Sequence, residues 1–164
     1  MEYQKAKQIA DRVLQKLKPH CHRIEIAGSV RRKKANPNDI EIVAIPKPYG
    51  VDLFESGIAT IVNQWGKVKG VLPCKYTQRI LPEGIKLDLF FATVDNWGLI
   101  LAIRTGSAEY SHKVLATGWV KQGYKSSNGI LIKDGDEYHI KEEIDLFNLL
   151  GLKWIDPQFR GGLE

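Results

Sequence analysis

Two short segments of this sequence place charged side chains at every second position, between branched apolar residues. The first, residues 39–42, reads DIEI, and the second, residues 86–89, reads KLDL. Successive side chains of a β-strand point to opposite faces, so a strand would carry the charged residues of each segment on one face and the apolar residues on the other. Both segments are therefore predicted to be strands of a sheet that buries one face.

Three carboxylates would meet if these two strands were neighbours with their charged faces aligned: Asp39, Glu41 and Asp88. Negative charges that converge in this way need cations nearby. Two Mg²⁺ ions about 3.5–4 Å apart would neutralise them, activate an attacking hydroxyl and stabilise a leaving pyrophosphate. Mg²⁺ prefers oxygen ligands and completes its shell with substrate phosphates. The alternative is that the carboxylates line the solvated side of an ordinary sheet.

The segment just before the first strand adds a second signal. Residues 28–32 read GSVRR and follow a predicted strand over 23–27. Glycine lets the backbone approach a phosphate, the serine hydroxyl and free amides donate to it, and an arginine matches its oxygens. Such a turn alone is typical of a solvated loop. A strand, this turn and a carboxylate pair about ten residues later together indicate metal-dependent triphosphate chemistry.

The remaining patterns predict an α+β fold, with a mixed sheet flanked by helices and followed by a smaller part. Helical spacing and end signals predict helices over 2–18, 52–65 (with Asp52 as its cap), 96–103, 108–120 and 142–150. Alternation and turn residues predict further strands over 67–72, 75–81, 85–92, 130–133 and 137–140. A seam is expected near Thr105, where the strand-rich part gives way to helices and small hairpins.

The charge is uneven along the chain. The net charge is +5, yet residues 1–34 hold ten basic against three acidic side chains, and residues 134–164 hold three against eight. A basic portion is typical of a polyanion binder and equally of a solvated helix face. Four basic side chains either follow a template backbone or line a solvated strand face: Lys67, Lys69, Lys75 and Arg79.

Other classes of protein are disfavoured. No apolar run approaches the roughly 20 residues of a membrane helix, and the N-terminus is polar rather than a signal peptide, which favours a cytoplasmic protein. Cys21 and Cys74 are expected to be free thiols. His20, Cys21 and His22 stand together, but the sequence has no second Cys/His cluster to complete a zinc site.

The sequence resembles the X-family DNA polymerases, within the wider polymerase-beta-like nucleotidyltransferase superfamily, over nearly its whole length. The motifs that carry the resemblance are residues 26–32 (IAGSVRR), 39–41 (DIE), 85–88 (IKLD), 105–107 (TGS), 121–124 (KQGY), 143–147 (EIDLF) and 150–157 (LGLKWIDP). The resemblance implies a catalytic palm over 1–104 and a thumb-like domain for nucleotide and template over 105–164. The family's N-terminal lyase and helix-hairpin-helix segments have no counterpart, as in its minimal viral members, so a viral or phage source is expected.

The resemblance also implies a role for each site residue. Three carboxylates would hold two Mg²⁺ ions, or Mn²⁺, and activate the primer 3′-hydroxyl: Asp39, Glu41 and Asp88. Three residues of the turn would bind the triphosphate: Gly28, Ser29 and Arg32. Lys86 would lie beside the primer-terminal phosphate. Five residues would line the sugar and base pocket: Ile103, Arg104, Gly106, Ala108 and Ser111.

Several positions depart from the family pattern. Glu41 stands where the family has aspartate, and Ile103 and Arg104 replace two aromatic residues of the sugar pocket. Ser111 replaces an asparagine that contacts the base edge, and Leu115 aligns with an arginine that meets the template. These changes predict weak reading of the base and weak exclusion of ribonucleotides.

The function implied is that of a monomeric DNA-directed DNA polymerase, which adds a nucleotide from a dNTP to a primer in gap filling or repair. Its partners would be primer–template or gapped DNA and a nucleoside triphosphate, with no membrane. One alternative is a nucleotidyltransferase of another substrate class, such as a template-independent tailing enzyme or one acting on RNA or a small molecule. Another is a nucleic-acid-binding module that has lost its chemistry.

Overall fold

The computed structural model describes residues 1–47 and 57–161 of the chain. Contacts divide the chain into two compact units, Met1–Ala92 and Thr93–Glu164. Within the described ranges, no helix has the length and apolar character that crossing a membrane requires.

The division between the units lies before the seam expected near Thr105. The helix Trp97–Thr105 follows the division and packs Leu99 and Ala102 into the hydrophobic core of the second unit. The helix Trp97–Thr105 therefore belongs to the second unit, and the change from strands to helices comes before this helix.

A mixed β-sheet forms the framework of the first unit. Its strands are β1 (Cys21–Ala27), β2 (Asp39–Pro46), β3 (Gly66–Lys69), β4 (Tyr76–Ile80) and β5 (Lys86–Phe91). They lie in the order β1-β2-β5-β4-β3, in which β2 and β5 are parallel and the other neighbours are antiparallel. The predicted strand over 67–72 ends at Lys69 because Gly70, with φ of +79°, turns the chain.

Three helices of the first unit lie in the described ranges: α1 (Tyr3–Leu17), α2 (Gly28–Arg31) and α3 (Ile58–Val62). The first was predicted over 2–18 from its apolar spacing, and the structure agrees within a residue at each end. Of the helix predicted over 52–65, the structure describes α3, and the predicted cap Asp52 lies outside the described residues.

The core of the first unit lies on one face of the sheet. Apolar residues from helix α1 and from the central strands are fully or almost fully buried there: Ala6, Ile9, Ala10, Val13, Leu17, Ile40, Ile42, Leu87 and Leu89. Burying one such aliphatic side chain contributes about 1.5–3 kcal/mol. This burial fixes which way β2 and β5 face, and so directs their charged residues to the opposite face.

The second unit combines helices with a small antiparallel sheet. Its helices are α4 (Trp97–Thr105), α5 (Ala108–Tyr110), α6 (Thr117–Lys121) and α7 (Glu143–Leu150), and its strands are β6 (Lys125–Ser127), β7 (Ile130–Lys133) and β8 (Asp136–Tyr138). A π-helical segment, Ser111–Ala116, joins α5 to α6, so the stretch predicted as one regular helix contains a π-turn. The α+β class predicted from the sequence is confirmed.

A buried ion pair holds the last described residues against the second unit. The Arg160 side chain is fully buried, and its Nη1 lies 2.5 Å from Oε2 of Glu143, which is also buried. The Arg160 Nε donates to the carbonyl of Ile155, and its guanidinium lies 4.7 Å from the ring centroid of Trp154. The Arg160 carbonyl accepts from the Ser107 amide, so one residue fastens the tail to α7 and to the start of α5.

We expect Arg160→Met to lower the free energy of unfolding by about 3–5 kcal/mol, because Glu143 would be left buried without its charge partner. Urea unfolding followed by tryptophan fluorescence measures this. Lys153→Met is the matched control, since Lys153 is exposed in the same tail and should change stability by less than about 0.5 kcal/mol. Equal stability of the two variants would contradict a structural role for the ion pair.

Both cysteines are free, as the sequence predicts, but their surroundings differ. Burial raises the pKa of the Cys21 thiol to about 11, against a smaller opposing effect of Lys47, whereas Cys74 is only partly buried.

At pH 8 about one Cys21 in a thousand would be thiolate, the reactive form. A thiol reagent such as DTNB should therefore label Cys74 at least about ten times faster, and Cys74→Ser should leave only a slow reaction. Equal rates would contradict the burial of Cys21.

Candidate active site

The charged faces of β2 and β5 coincide. In their parallel pairing Asp39 lies beside Lys86 and Glu41 lies beside Asp88. Partners in register share a face, so the charged residues of both strands point away from the buried core. The structure therefore contains the neighbouring strands, β2 and β5, that the predicted convergence of carboxylates requires.

Asp88 is the most enclosed of the three carboxylates, with only 8% of its surface exposed. Its Oδ1 accepts a hydrogen bond of 2.6 Å from the Tyr76 hydroxyl and another of 2.8 Å from the Gln78 side-chain amide. Both donors come from β4, the strand on the other side of β5. The charge of Asp88 is thus partly compensated by two donors that the sequence motif does not include.

Asp39 is half-buried at the start of β2. Burial, and then the negative charge of Asp88, raise the pKa of Asp39, while the Lys86 ammonium opposes both. Two carboxylates that repel each other in this way form a site whose charge a cation would relieve.

Glu41 contacts the turn that precedes its strand. Gly28 begins α2 with φ of +61°, and a Cβ added to Gly28 would collide with the Glu41 carboxyl group. Ala27 pairs with Glu41 across β1 and β2, which brings the turn to the edge of the carboxylate face. The glycine is needed here for its positive φ and for this close approach.

These residues fit a divalent cation in chemistry and in backbone position, since they offer carboxylate oxygens from one face of adjacent strands. Across residues 1–47 and 57–161, however, no group of three or more His, Cys, Asp or Glu side chains is arranged so that it could hold a metal ion. The Glu41 carboxyl lies against Gly28, on the β1 side of its strand, and Asp88 directs Oδ1 towards β4. Metal binding by all three would therefore require Glu41 to turn towards β5.

The predicted phosphate turn is a single helical turn at the end of β1. The Arg32 amide donates to the Gly28 carbonyl at 3.0 Å, and the Lys34 amide donates to the Ser29 carbonyl at the same distance. The Ser29 and Arg32 side chains are both half-exposed. The turn thus lies at the same end of the sheet as Asp39 and Glu41.

The residues predicted for the sugar and base pocket lie together in the second unit, where α4 passes into α5: Ile103, Arg104, Gly106, Ala108 and Ser111. Arg104 and Ala108 are exposed, whereas Ile103 packs against the core. The Ser111 hydroxyl donates to the Ile103 carbonyl at 2.7 Å, so its proton is already engaged. A Cβ on Gly106 would lie 2.7 Å from the Tyr110 ring, which explains a glycine of ordinary φ here.

Leu115 and Arg79 belong to the structure rather than to a nucleic-acid surface. Leu115 is fully buried in the core of the second unit. Arg79 is 3% exposed and donates to the main-chain carbonyls of Trp65 and Gly70. Both expectations for Arg79, a contact with a template backbone and a place on a solvated strand face, are therefore wrong, because β4 turns Arg79 to the buried face opposite Gln78. Lys67, Lys69 and Lys75 are exposed.

We expect Gly28→Ala to lower stability by about 1–3 kcal/mol, because the new Cβ would meet the Glu41 carboxyl group in a left-handed conformation. Gly84→Ala is the control: Gly84 also has positive φ, at +89°, but has open space around its Cα. The difference between the two urea unfolding free energies measures the collision with Glu41. Equal losses in both variants would show that Glu41 moves aside without cost and that only the positive φ of Gly28 resists the substitution.

Comparison with known proteins bears on the second unit. Residues 100–161 match the family model of the DNA polymerase beta thumb. No curated protein matches the chain. The match covers residues 105–107, 121–124, 143–147 and 150–157, four of the motifs that carry the resemblance, and supports a relationship to the X-family polymerases and an interaction with DNA.

Proposed function

We propose that this chain is a DNA-directed DNA polymerase that transfers a nucleotide from a dNTP to a primer 3′-hydroxyl, releases pyrophosphate and fills short gaps during repair. The observation that carries the proposal is the parallel pairing of β2 with β5, which places Asp39, Glu41 and Asp88 on one face. The match of residues 100–161 to a polymerase beta thumb supports DNA as the partner of this chemistry.

The carboxylates would serve as ligands of divalent cations. Asp39 and Glu41 would hold two Mg²⁺ ions, or Mn²⁺, and Asp88 would complete one of the two sites. When bound, such ions lower the pKa of an attacking hydroxyl and stabilise the charge of a leaving pyrophosphate. Burial, and then repulsion by Asp88, raise the pKa of Asp39. A bound cation would offset that repulsion, which supports this role.

The substrate phosphates would be bound by residues around this face. The Ser29 hydroxyl and the Arg32 guanidinium would donate to the β- and γ-phosphates, while Gly28 lets the turn approach them. Lys86 is exposed and shares the face of Asp39, so its ammonium would neutralise the primer-terminal phosphate. These contacts would orient the primer hydroxyl towards the α-phosphate.

The pocket for the sugar and the base would lie in the second unit. Ile103, Arg104 and Gly106 would line the sugar, and Ala108 and Ser111 would face the base. Because the Ser111 hydroxyl donates to the Ile103 carbonyl, it can offer only acceptor lone pairs to a base. We propose that this pocket discriminates weakly among bases and between ribose and deoxyribose.

The test is single-nucleotide incorporation on a gapped DNA duplex, with each dNTP and each NTP supplied separately and Mg²⁺ or Mn²⁺ present. We expect Asp88→Ala to reduce incorporation at least about a thousandfold, since loss of a metal ligand removes several kcal/mol of transition-state stabilisation. Its affinity for the duplex should stay equal or rise. Asp136→Ala, at an exposed position of β8, is the control and should act like the parent.

The other outcomes discriminate among the alternatives. Extension of a single-stranded primer regardless of template would indicate a tailing enzyme. Absence of incorporation with retained DNA binding would indicate a binding module, and absence of both would direct attention to RNA or small-molecule acceptors. Full activity of Asp88→Ala would refute the assignment of the carboxylates.

A further inference from the structure

Asp88 receives its hydrogen bonds from two side chains that no motif of the sequence singles out. The Tyr76 hydroxyl and the Gln78 amide both donate to the same oxygen, Oδ1. Oδ2 is therefore the oxygen of Asp88 that is left for a cation. Two donors on one oxygen also restrict the plane of the carboxylate more tightly than one donor could.

Both donors are held firmly in place. Gln78 pairs directly with Asp88 in the register of β4 and β5, so its amide reaches across a single strand spacing. The Tyr76 ring stacks on Phe90 with centroids 4.8 Å apart and planes inclined by 19°. Tyr76 pairs with Phe90 in the same register, which fixes the direction of the hydroxyl.

The opposite face of β4 anchors the strand. The buried Thr77 hydroxyl contacts the carbonyls of Lys69 and Gly70 at 2.8 and 2.9 Å. Arg79, two residues on, donates to Thr77 Oγ1 and to the carbonyl of Trp65. The strand is thus fastened from the face away from Asp88, and Tyr76 and Gln78 present their donors from a rigid support.

We propose that Tyr76 and Gln78 are positioning residues of the divalent-cation site, which orient Asp88 so that Oδ2 faces the cation. The inference rests on the proposed function, because it takes Asp88 to be a metal ligand. Partners that hold a metal-binding carboxylate in its orientation raise the affinity for the metal, and their loss typically weakens it 10- to 100-fold. Asp88 is largely buried, so water has little access to replace the lost donors.

A purely structural role for the same hydrogen bonds predicts a different result. The main chains of β4 and β5 are already paired from Tyr76 to Ile80, so the sheet does not need these side chains to form. If the side chains only joined the two strands, their loss would lower the melting temperature and leave cation binding unchanged. A positioning role predicts that their loss weakens cation binding and leaves the melting temperature unchanged.

The experiment measures the affinity of the full chain for Mn²⁺ alone, by electron paramagnetic resonance, together with the melting temperature in EDTA. Tyr76→Phe keeps the stack on Phe90 and removes only the hydroxyl, and Gln78→Met keeps the length and removes the amide. Tyr138→Phe is the matched control, because Tyr138 lies in the second unit and packs edge-on to Tyr124. Asp88→Asn reports whether the measured cation is held by Asp88.

We expect Tyr76→Phe and Gln78→Met each to weaken Mn²⁺ binding 10- to 100-fold and Tyr138→Phe to bind as the parent does. In the incorporation assay, the Mg²⁺ concentration for half-maximal rate should rise by the same factor, while the rate at saturating Mg²⁺ changes less. An unchanged melting temperature in EDTA would exclude a folding defect.

Two results would overturn the inference, and they differ in what else they affect. If the parent binds Mn²⁺, Asp88→Asn does not, and both β4 variants bind like the parent, the positioning role is wrong and the proposed function stands. If the parent does not bind Mn²⁺, or Asp88→Asn binds it equally well, the metal site itself is wrong and both proposals fall.

Discussion

The parallel pairing of β2 with β5 is the contact on which the candidate site depends. Each strand alone carries charged residues on one face, which is the ordinary state of a half-buried strand. Pairing in register sets Glu41 beside Asp88 and Asp39 beside Lys86. Burial of Ile40, Ile42, Leu87 and Leu89 on the other face makes the register costly to change, because a slip by one residue would bury the charges. The hydrophobic core thereby determines where the carboxylates stand.

Much of this arrangement can be predicted from the sequence, because alternation reports directly on a strand with one buried face. One strand escapes this signal: β6, Lys125–Ser127, has no buried residue and is not predicted from the sequence. In the sequence, Arg79 looks like a surface residue, because the carbonyls that accept its hydrogen bonds belong to Trp65 and Gly70, outside its own strand. Periodicity identifies faces but not the distant partners that make a buried charge tolerable.

The details of the site lie beyond sequence patterns for the same physical reason. The contact of Glu41 with Gly28 and the hydrogen bonds of Tyr76 and Gln78 to Asp88 depend on side-chain rotamers and on neighbouring strands. The buried pair of Glu143 and Arg160 joins a residue of the 143–147 motif to a residue outside every motif, and no pattern in the sequence indicates that both are buried. A motif identifies which residues are present. The packing around them determines which oxygen faces a ligand.

The strand order also bears on how the first unit folds. The pairs β1–β2 and β4–β5 join strands that are close along the chain, and such local pairs form readily. The pairing of β2 with β5 joins segments far apart in sequence, so its formation carries a larger cost in loop-closure entropy. That step also brings mutually repelling carboxylates together. We therefore expect the docking of these two strand pairs to limit the folding rate, and we expect dissolved divalent cations to speed it by screening the charge that opposes it.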